Sequence, residues 1–379
     1  MQAIYAYMQA EGSDYLMALD LIEDAFAPDL NSMEVQDRKL LEGKKRIASA
    51  LFKEWYETRS FDSEEKDPEI LEAVNDAVTF YQNQIRKDFK LFGNQMLGAV
   101  EKIYDHYLSI LMIVQEVVQL IEQEEQKKKT RFTPKNEPDY RRFLQNQVVQ
   151  KLLNNKSFRQ HQIRRNISWE ARQEVVRQFY RETLKQDETF LEYLKQPETT
   201  FEEDQKVVKH IFKNIIFKEK NLQSLFEEQD LNWEENKVIV KSLVMKTVKM
   251  LDEQSTEDLA LLDLSTNWEE DKAFFEELYD QTLKNEEKYE KLISQYIQNW
   301  DVERIAIIDK IILKMALCEM QLFRSIPVKV TINEYIEISK LYSTPKSKQF
   351  INGVLDKISQ DLINKGEIRK SGRGLIDNR

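Results

Sequence analysis

The sequence predicts an all-α protein, and three observations support that prediction. Only 8 Gly and 7 Pro occur among 379 residues, well below the roughly 12% usual in globular chains, which leaves few turn residues for a β-sandwich or barrel. Hydrophobic residues make up 41% of the chain and charged residues 32%, a balance typical of amphipathic helices that pack through apolar stripes. Apolar residues also recur at spacings of three and four. The chain is long enough to bury a sizeable core.

The amino-terminal third of the chain predicts four helical segments. They are Met1–Met8, Tyr15–Phe26, Asp37–Thr58 and Ile70–Glu125, with a polar break over Ser60–Glu69. In the last of them the apolar residues Leu97, Val100, Tyr104 and Leu108 follow helical spacing. The lysine run that begins at Lys127, followed by Pro134 and Pro138, predicts a junction between subdomains.

A short motif recurs along the rest of the chain, in which an aromatic residue follows a small polar residue and precedes an acidic one. Its copies are Ser168-Trp169-Glu170, Thr200-Phe201-Glu202, Asn232-Trp233-Glu234, Asn267-Trp268-Glu269 and Asn299-Trp300-Asp301, with aromatics 32, 32, 35 and 32 residues apart. Thr200 and Glu203 have the spacing of a capping box. Each copy therefore predicts the start of a helical hairpin with its aromatic side chain in the core. A tetratricopeptide solenoid, with its repeat of about 34 residues, is a poor match because its small-residue positions are missing.

The net charge of -11 is unevenly distributed. Lys127–Arg165 contains 12 basic and 2 acidic residues, and Lys329–Arg373 contains 9 basic and 5 acidic residues. Two basic islands in an acidic chain are typical of an RNA or phosphate contact. For the first island, a solvated linker surface is the alternative interpretation.

Several classes of protein are disfavoured by single features of the sequence. The lone Cys318 cannot form an intrachain disulfide and fits a reducing cytosol. The most apolar run, Tyr107–Ile121, is too short and too polar to cross a membrane, and the first residues lack a signal peptide. We therefore expect a cytoplasmic protein without membrane contact.

Catalytic and metal-binding patterns are nearly absent from the sequence. The histidines His106, His161 and His210 are far apart, and no His-Glu-x-x-His motif or glycine-rich phosphate loop occurs. The sequence thus predicts no metal, no cofactor and no enzymatic activity.

The last eighty residues contain three distinctive blocks. Asp301–Ala316 predicts a helix that is apolar nearly all round and therefore central. Ile326–Lys340 contains Thr331 and Glu334 at capping-box spacing. Thr344–Lys357 opens on Thr-Pro, which predicts a helix cap and a first helical position.

These blocks resemble the NusB family of transcription antitermination factors. The stretches Ile-Pro-Val-Lys-Val-x-Ile-Asn-Glu, from Ile326, and Phe-Ile-Asn-Gly-Val-Leu-Asp-Lys, from Phe350, carry the resemblance by their order and spacing. It extends over Trp268–Leu362, and Met1–Tyr7 is similar to the second half of the family's first helix. Most NusB proteins are much shorter, so the long middle resembles extended forms of the family.

The resemblance implies a NusB-like helical bundle with inserted helical-hairpin repeats. The expected division is 1–125, an amino-terminal helical subdomain; 126–165, a basic linker or helix; 166–265, the repeats; 266–366, the NusB-like core; and 367–379, a basic flexible tail.

The function implied by the resemblance is RNA binding without covalent chemistry. Family members pair with the ribosomal protein NusE and bind the single-stranded boxA element of nascent ribosomal RNA. They assemble with RNA polymerase and other Nus factors and suppress premature termination. The alternative is a helical-repeat scaffold that binds proteins and has lost RNA binding. A fusion to an RNA methyltransferase is disfavoured, because no glycine-rich domain follows Lys357.

Carried over by position, the family's RNA-binding surface comprises six residues of this chain: Tyr5, Asp309, Tyr342, Lys346, Lys348 and Phe350. A helix start beside Lys346 and Lys348 suits a phosphate. Tyr342 and Phe350 offer rings on which unpaired bases can stack, although both could instead belong to the core.

Two departures from the family pattern bear on this surface. NusB proteins usually open with an arginine-rich segment, whereas the first basic residue here is Arg38. We expect a start codon assigned too far downstream; otherwise Lys127–Arg165 is the candidate replacement. The second departure is Lys346, where other members often carry an acid.

Overall fold

The computed structural model describes residues 1–29, 36–60, 65–128, 138–297 and 305–378, and within these ranges it contains helices and no strands. The all-α prediction is therefore confirmed. The α-helices are α1 (Gln2–Ala25), α2 (Arg38–Thr58), α3 (Pro68–Lys128), α4 (Arg141–Leu144), α5 (Gln147–Asn154), α6 (Lys156–Arg164), α7 (Gln173–Gln178), α8 (Glu188–Leu194), α9 (Phe201–His210), α10 (Lys220–Gln229), α11 (Trp233–Met250), α12 (Trp268–Lys284), α13 (Glu286–Tyr296), α14 (Ile307–Leu322), α15 (Val328–Tyr342) and α16 (Ser347–Asn364).

The chain forms two compact units. The first unit combines Met1–Leu97 with Glu269–Arg379, and the second unit is Gly98–Trp268. Residues of α3 belong to both. The five-part division expected from the sequence stays a prediction. Among the described residues, no helix combines the length and the hydropathy that a membrane span requires.

The first unit contains two hydrophobic clusters. One is formed by α1, α2 and the beginning of α3, around Ala18, Phe52 and Val74. The other is centred on α14, whose residues from Ile311 to Met320 are all buried. The predicted central helix is confirmed from Ile307 onward, and residues 301–304 of the predicted range lie outside the described residues.

Helix α1 corrects one prediction. The segments Met1–Met8 and Tyr15–Phe26 were expected to be separate helices, but a single helix runs through Gly12. A glycine inside a helix costs only about 1 kcal/mol. Ile4 lies in the α14 cluster and Ile22 in the other cluster, so burial at both ends of α1 outweighs that cost.

The second unit contains the first three copies of the aromatic motif. Trp169, Phe201 and Trp233 are all buried in one hydrophobic cluster. Phe201 and Trp233 are the first residues of α9 and α11. The predicted core role of these aromatics is confirmed. Trp268 is half-buried at the start of α12, and the copy at Asn299-Trp300-Asp301 lies outside the described residues, as do Lys129 and Pro134.

The first two copies also share an irregular helix geometry that the sequence did not predict. Helix α7 continues into a π-helical stretch, Phe179–Thr183, and a 3-10 turn, Leu184–Gln186. Helix α9 continues into the equivalent stretches, Ile211–Ile215 and Ile216–Lys218. These elements are offset by the same 32 residues as the aromatics, so the sequence repeat is also a structural repeat.

The predicted helix caps have mixed outcomes. The capping box of Thr200 and Glu203 is present in both directions. The Thr331 prediction is wrong: α15 starts three residues earlier, and the Thr331 hydroxyl instead donates to Glu319. The prediction of a helix cap at Thr344 is also wrong. Helix α16 starts at Ser347, after a turn in which the Ser347 amide donates to the Thr344 carbonyl. A tertiary contact and a turn have replaced the local caps.

The last residues were expected to form a flexible tail. In the structure, Ile368 is buried in the α14 cluster and Lys370 Nζ donates to the Phe323 carbonyl over 3.0 Å. The Ser371 amide donates to the Arg324 carbonyl over 3.0 Å. The segment after α16 is thus attached to the loop between α14 and α15.

Candidate functional site

The candidate site lies where the amino end of α14 meets the turn between α15 and α16. Asp309 is in the first turn of α14, where a carboxylate is favoured by the helix dipole. It is nevertheless only 5% exposed. A buried carboxylate requires hydrogen-bond donors, and the α15–α16 turn supplies them.

Two serine hydroxyls satisfy the Asp309 carboxylate. Ser343 Oγ donates to Oδ1 over 2.5 Å, and Ser347 Oγ donates to Oδ2 over 2.7 Å. Thr344 Oγ1 lies 2.8 Å from Ser347 Oγ and is the donor there, because the Ser347 proton is already used. These contacts fix the turn on the buried end of α14.

Lys346 and Lys348 project from this fixed turn into solvent. Lys346 is the residue just before α16, and both side chains are exposed. Among the described residues, no carboxylate lies within ion-pair distance of either lysine. Their charges add to the partial positive charge of the α16 amino terminus, so this corner of the first unit is a compact cationic surface.

The three aromatic candidates differ in how much of each ring is buried. Phe350, one turn into α16, is half-buried and packs against the α14 cluster. Tyr342, the last residue of α15, is also half-buried. Tyr5 is 37% exposed on α1, next to Ile4, which packs into the same cluster. Tyr5 and Tyr342 therefore retain solvent-accessible area, while Phe350 contributes to packing.

Further along α14, two other buried polar side chains attach neighbouring helices. Glu319 accepts hydrogen bonds from Thr331 Oγ1 over 2.7 Å and from Tyr335 Oη over 3.1 Å, both on α15. Burial raises the pKa of the Glu319 carboxyl above its usual range. Lys314 donates to Glu286 over 2.6 Å and to Glu290 over 3.3 Å, both on α13. The position of α15, and with it Tyr342, therefore depends on a buried network.

The structure brings four of the six predicted residues into one local region. Lys346, Lys348 and Phe350 belong to the start of α16, and Asp309 lies beneath that start, bonded to Ser347. Sequence reasoning missed Ser343 and Ser347 as partners of Asp309. The only local sign of this contact is the pair of serines, four residues apart, on either side of Thr344-Pro345. Their acceptor, Asp309, is more than thirty residues away in the sequence.

The fold and this site define a class of protein: an all-helical bundle that presents a rigid cationic turn and has a second helical unit within its chain. A family model described as the NusB family matches residues 239–360. That range begins within α11 and ends within α16, so it includes the whole cationic turn.

Curated relatives of this chain are named transcription antitermination protein NusB. The protein of Salinibacter ruber is 47% identical over 103 residues, which are 27% of this chain and 64% of the relative. That of Chloroherpeton thalassium is 42% identical over 104 residues, 27% of this chain and 49% of the relative. That of Bacillus pumilus is 36% identical over 118 residues, 31% of this chain and 90% of the relative. The chain thus spans less than two thirds of the first two relatives.

A solved structure of T. maritima NusB is 23% identical, with 43% of this chain and 95% of that chain covered and a TM-score of 0.25. The match to nearly the whole of the Bacillus pumilus protein at 36% identity is the decisive comparison. This chain belongs to the NusB family.

Proposed function

We propose that this protein is a transcription antitermination factor that binds boxA-type single-stranded RNA together with the ribosomal protein NusE. In this proposal the complex joins RNA polymerase with other Nus factors on nascent ribosomal RNA and suppresses premature termination. The protein acts in the cytoplasm by simultaneous contacts and performs no covalent chemistry.

The observation that carries the proposal is the cationic turn held by Asp309. Phosphate recognition needs positive charge at a defined position, and Lys346 and Lys348 are exposed at a helix start whose geometry is fixed by buried hydrogen bonds. The partly exposed ring of Tyr342 lies four residues before Lys346 in the chain and offers a stacking surface for an unpaired base. The name of the relatives, transcription antitermination protein NusB, supports the proposed role in antitermination.

Asp309 itself acts indirectly in this proposal. Because both carboxylate oxygens accept hydrogen bonds from serines within the protein, we assign it the positioning of the turn, and we assign phosphate contact to the lysines. This assignment refines the family-based expectation that Asp309 is part of the RNA-binding surface.

The test is a charge reversal at the turn. The variant Lys346→Glu with Lys348→Glu should weaken binding to boxA RNA by about tenfold or more. With fewer lysine–phosphate contacts, binding releases fewer counterions from the RNA and is therefore less favourable. A matched control is Lys284→Glu with Lys291→Glu, which makes the same charge change at exposed lysines of α12 and α13. Circular dichroism should show equal helix content in all three proteins.

Equal boxA affinity in the two double variants would contradict the proposal. The protein-binding scaffold would be favoured instead by a different result. In that case the chain binds no RNA, and it captures NusE without RNA and regardless of the salt concentration.

A further inference from the structure

Three lysines of the second unit, Lys209, Lys241 and Lys249, lie along the line where α9, with its 3-10 extension, contacts α11; we call this line of contact the groove. On α11, Lys241 and Lys249 are eight residues apart, or about 12 Å along the helix axis, and therefore lie on the same face. Met245 lies between them on that face and is half-buried.

The opposite side of the groove is attached to α11 by Gln205. Its Nε2 donates to the carbonyls of Val248 and Leu251, over 3.1 and 2.9 Å, at the carboxyl end of α11. Its Oε1 accepts a hydrogen bond from Lys209 Nζ, one turn further along α9. The Lys209 ammonium group is thereby held at a defined position beside α11.

The charge of Lys209 is influenced by another lysine. Partial burial, followed by the positive charge of Lys249, lowers the pKa of the Lys209 ammonium group. An anion bound beside both lysines would relieve this repulsion.

The third lysine is held by an aromatic ring. Lys241 Nζ lies 5.7 Å from the centre of the Phe217 ring, which is within the range of a cation–π contact. Phe217 is buried in the 3-10 turn that extends the α9 helix. Lys241 therefore lies where α11 meets the extension of α9.

These three lysines differ from other cations of the second unit. Lys156 pairs with Asp258 at 2.9 Å, Arg165 with Asp105 at 2.6 Å, and Arg141 with Asp139 at 2.8 Å. In the part of the chain that the structure describes, no carboxylate lies within ion-pair distance of Lys209, Lys241 or Lys249. Three cations of the basic segment that the sequence pointed to are thus neutralised by carboxylates, whereas the three lysines of the groove are not.

We propose that Lys209, Lys241 and Lys249 form a second RNA-binding site, which contacts the phosphate backbone without reading its sequence. The choice of RNA as the anion rests on the proposed function. This site would add affinity for RNA of any sequence, while selectivity for boxA would come from the first unit.

The experiment measures the salt dependence of RNA binding by the full chain. The variant is Lys209→Gln with Lys241→Gln and Lys249→Gln, which keeps much of each side chain's stem. The control is Arg141→Gln with Lys156→Gln and Arg165→Gln, an equal charge change at paired cations of the same unit. The probes are a boxA RNA and a scrambled RNA, each of about 30 nucleotides, long enough for more than one binding site.

Each single-strand phosphate contact contributes about 0.7 to the slope of log affinity against log salt, so loss of three contacts should reduce the slope by about 2. We expect this reduction with both RNAs in the groove variant and not in the control variant. The ratio of boxA to scrambled affinity should stay unchanged in the groove variant.

An unchanged slope in the groove variant would overturn the inference, as would equal reductions in both variants. Displacement of the scrambled RNA by polyglutamate as effectively as by polyuridylate would also overturn it, in favour of an acidic protein partner. A further result would separate the two proposals: the wild-type chain binds both RNAs equally, but the groove variant shows a reduced slope of log affinity against log salt. The groove would then be an RNA-binding site, and the proposal that the first unit recognises boxA would be contradicted.

Discussion

The hydroxyl of Ser347 donates a hydrogen bond of 2.7 Å to the carboxylate of Asp309, and this contact joins the first turn of α16 to the first turn of α14. Because α14 is buried along most of its length, the contact gives an exposed turn the rigidity of the core. The neighbouring lysines, Lys346 and Lys348, owe their defined position to it.

Removal of the Ser347 hydroxyl should destabilise the first unit. Ser347→Ala leaves one oxygen of a buried carboxylate without its donor, which typically costs about 1–3 kcal/mol. The control is Ser359→Ala, a buried serine of the same helix whose hydroxyl donates to the Asp356 carbonyl of its own helix. Urea unfolding followed by circular dichroism measures both. Equal costs would mean that the Asp309 contact contributes no specific stability.

The stability of the protein should depend on pH through Asp14. Burial, together with the negative charges of Asp88 and Glu11, raises the pKa of Asp14 from 3.8 to about 6 in the folded state. The folded state therefore binds the proton more tightly than the unfolded state. This contribution to stability is fully present below about pH 4 and is lost as pH rises through about 6.

The variant Asp14→Asn removes that titration. It should be more stable than the wild type at about pH 8, by about 1–3 kcal/mol, and the difference should vanish towards about pH 4. Asp20→Asn, an exposed position on the same helix, serves as the control. A pH-independent difference between Asp14→Asn and the wild type would contradict the proposed linkage.

Two glycines should respond in opposite directions to alanine substitution. Gly353 lies inside α16 with open space where a Cβ would be, so Gly353→Ala should stabilise the protein by about 1 kcal/mol. A Cβ at Gly374 would overlap the Arg324 carbonyl, so Gly374→Ala should displace the segment after α16 and lower the melting temperature. Thermal unfolding of both variants tests the pair. A destabilised Gly353→Ala would place an unrecognised contact at that position.

The aromatic of each repeat should contribute strongly to stability of the second unit. Trp233 is 1% exposed, and its Nε1 donates to Gln223 over 3.2 Å. Trp233→Ala should cost about 3–5 kcal/mol, whereas Leu231→Ala, at a side chain that is 99% exposed two residues earlier, should change the unfolding free energy by less than about 0.5 kcal/mol. Comparable effects in denaturant unfolding would contradict the assigned core role.

Local patterns predicted much of the fold, because the composition and the spacing of aromatics report directly on helices and their buried faces. The burial of Trp169, Phe201 and Trp233 follows from such a pattern. The π-helical stretch at Ile211–Ile215 was not predicted, since it depends on how α9 packs and has no short-range signature.

The six candidate RNA-binding residues stay a prediction, and the contacts that hold the cationic turn were not predicted. Lys346 and Lys348 were identified through the family motif and are exposed. The burial of Asp309 and the replacement of a cap at Thr331 by a bond to Glu319 depend on contacts between distant segments. Sequence spacing alone contains no information about such contacts.

The measurement that tests the central claim most directly is the affinity of this chain for boxA RNA and for a scrambled RNA, with and without NusE, in the wild type and in the Lys346→Glu, Lys348→Glu variant. We expect the wild type to prefer boxA, NusE to strengthen that preference, and the variant to lose it with its helix content intact. Equal affinity of the wild type for both RNAs, unchanged by NusE, would contradict the assignment of boxA recognition to this protein.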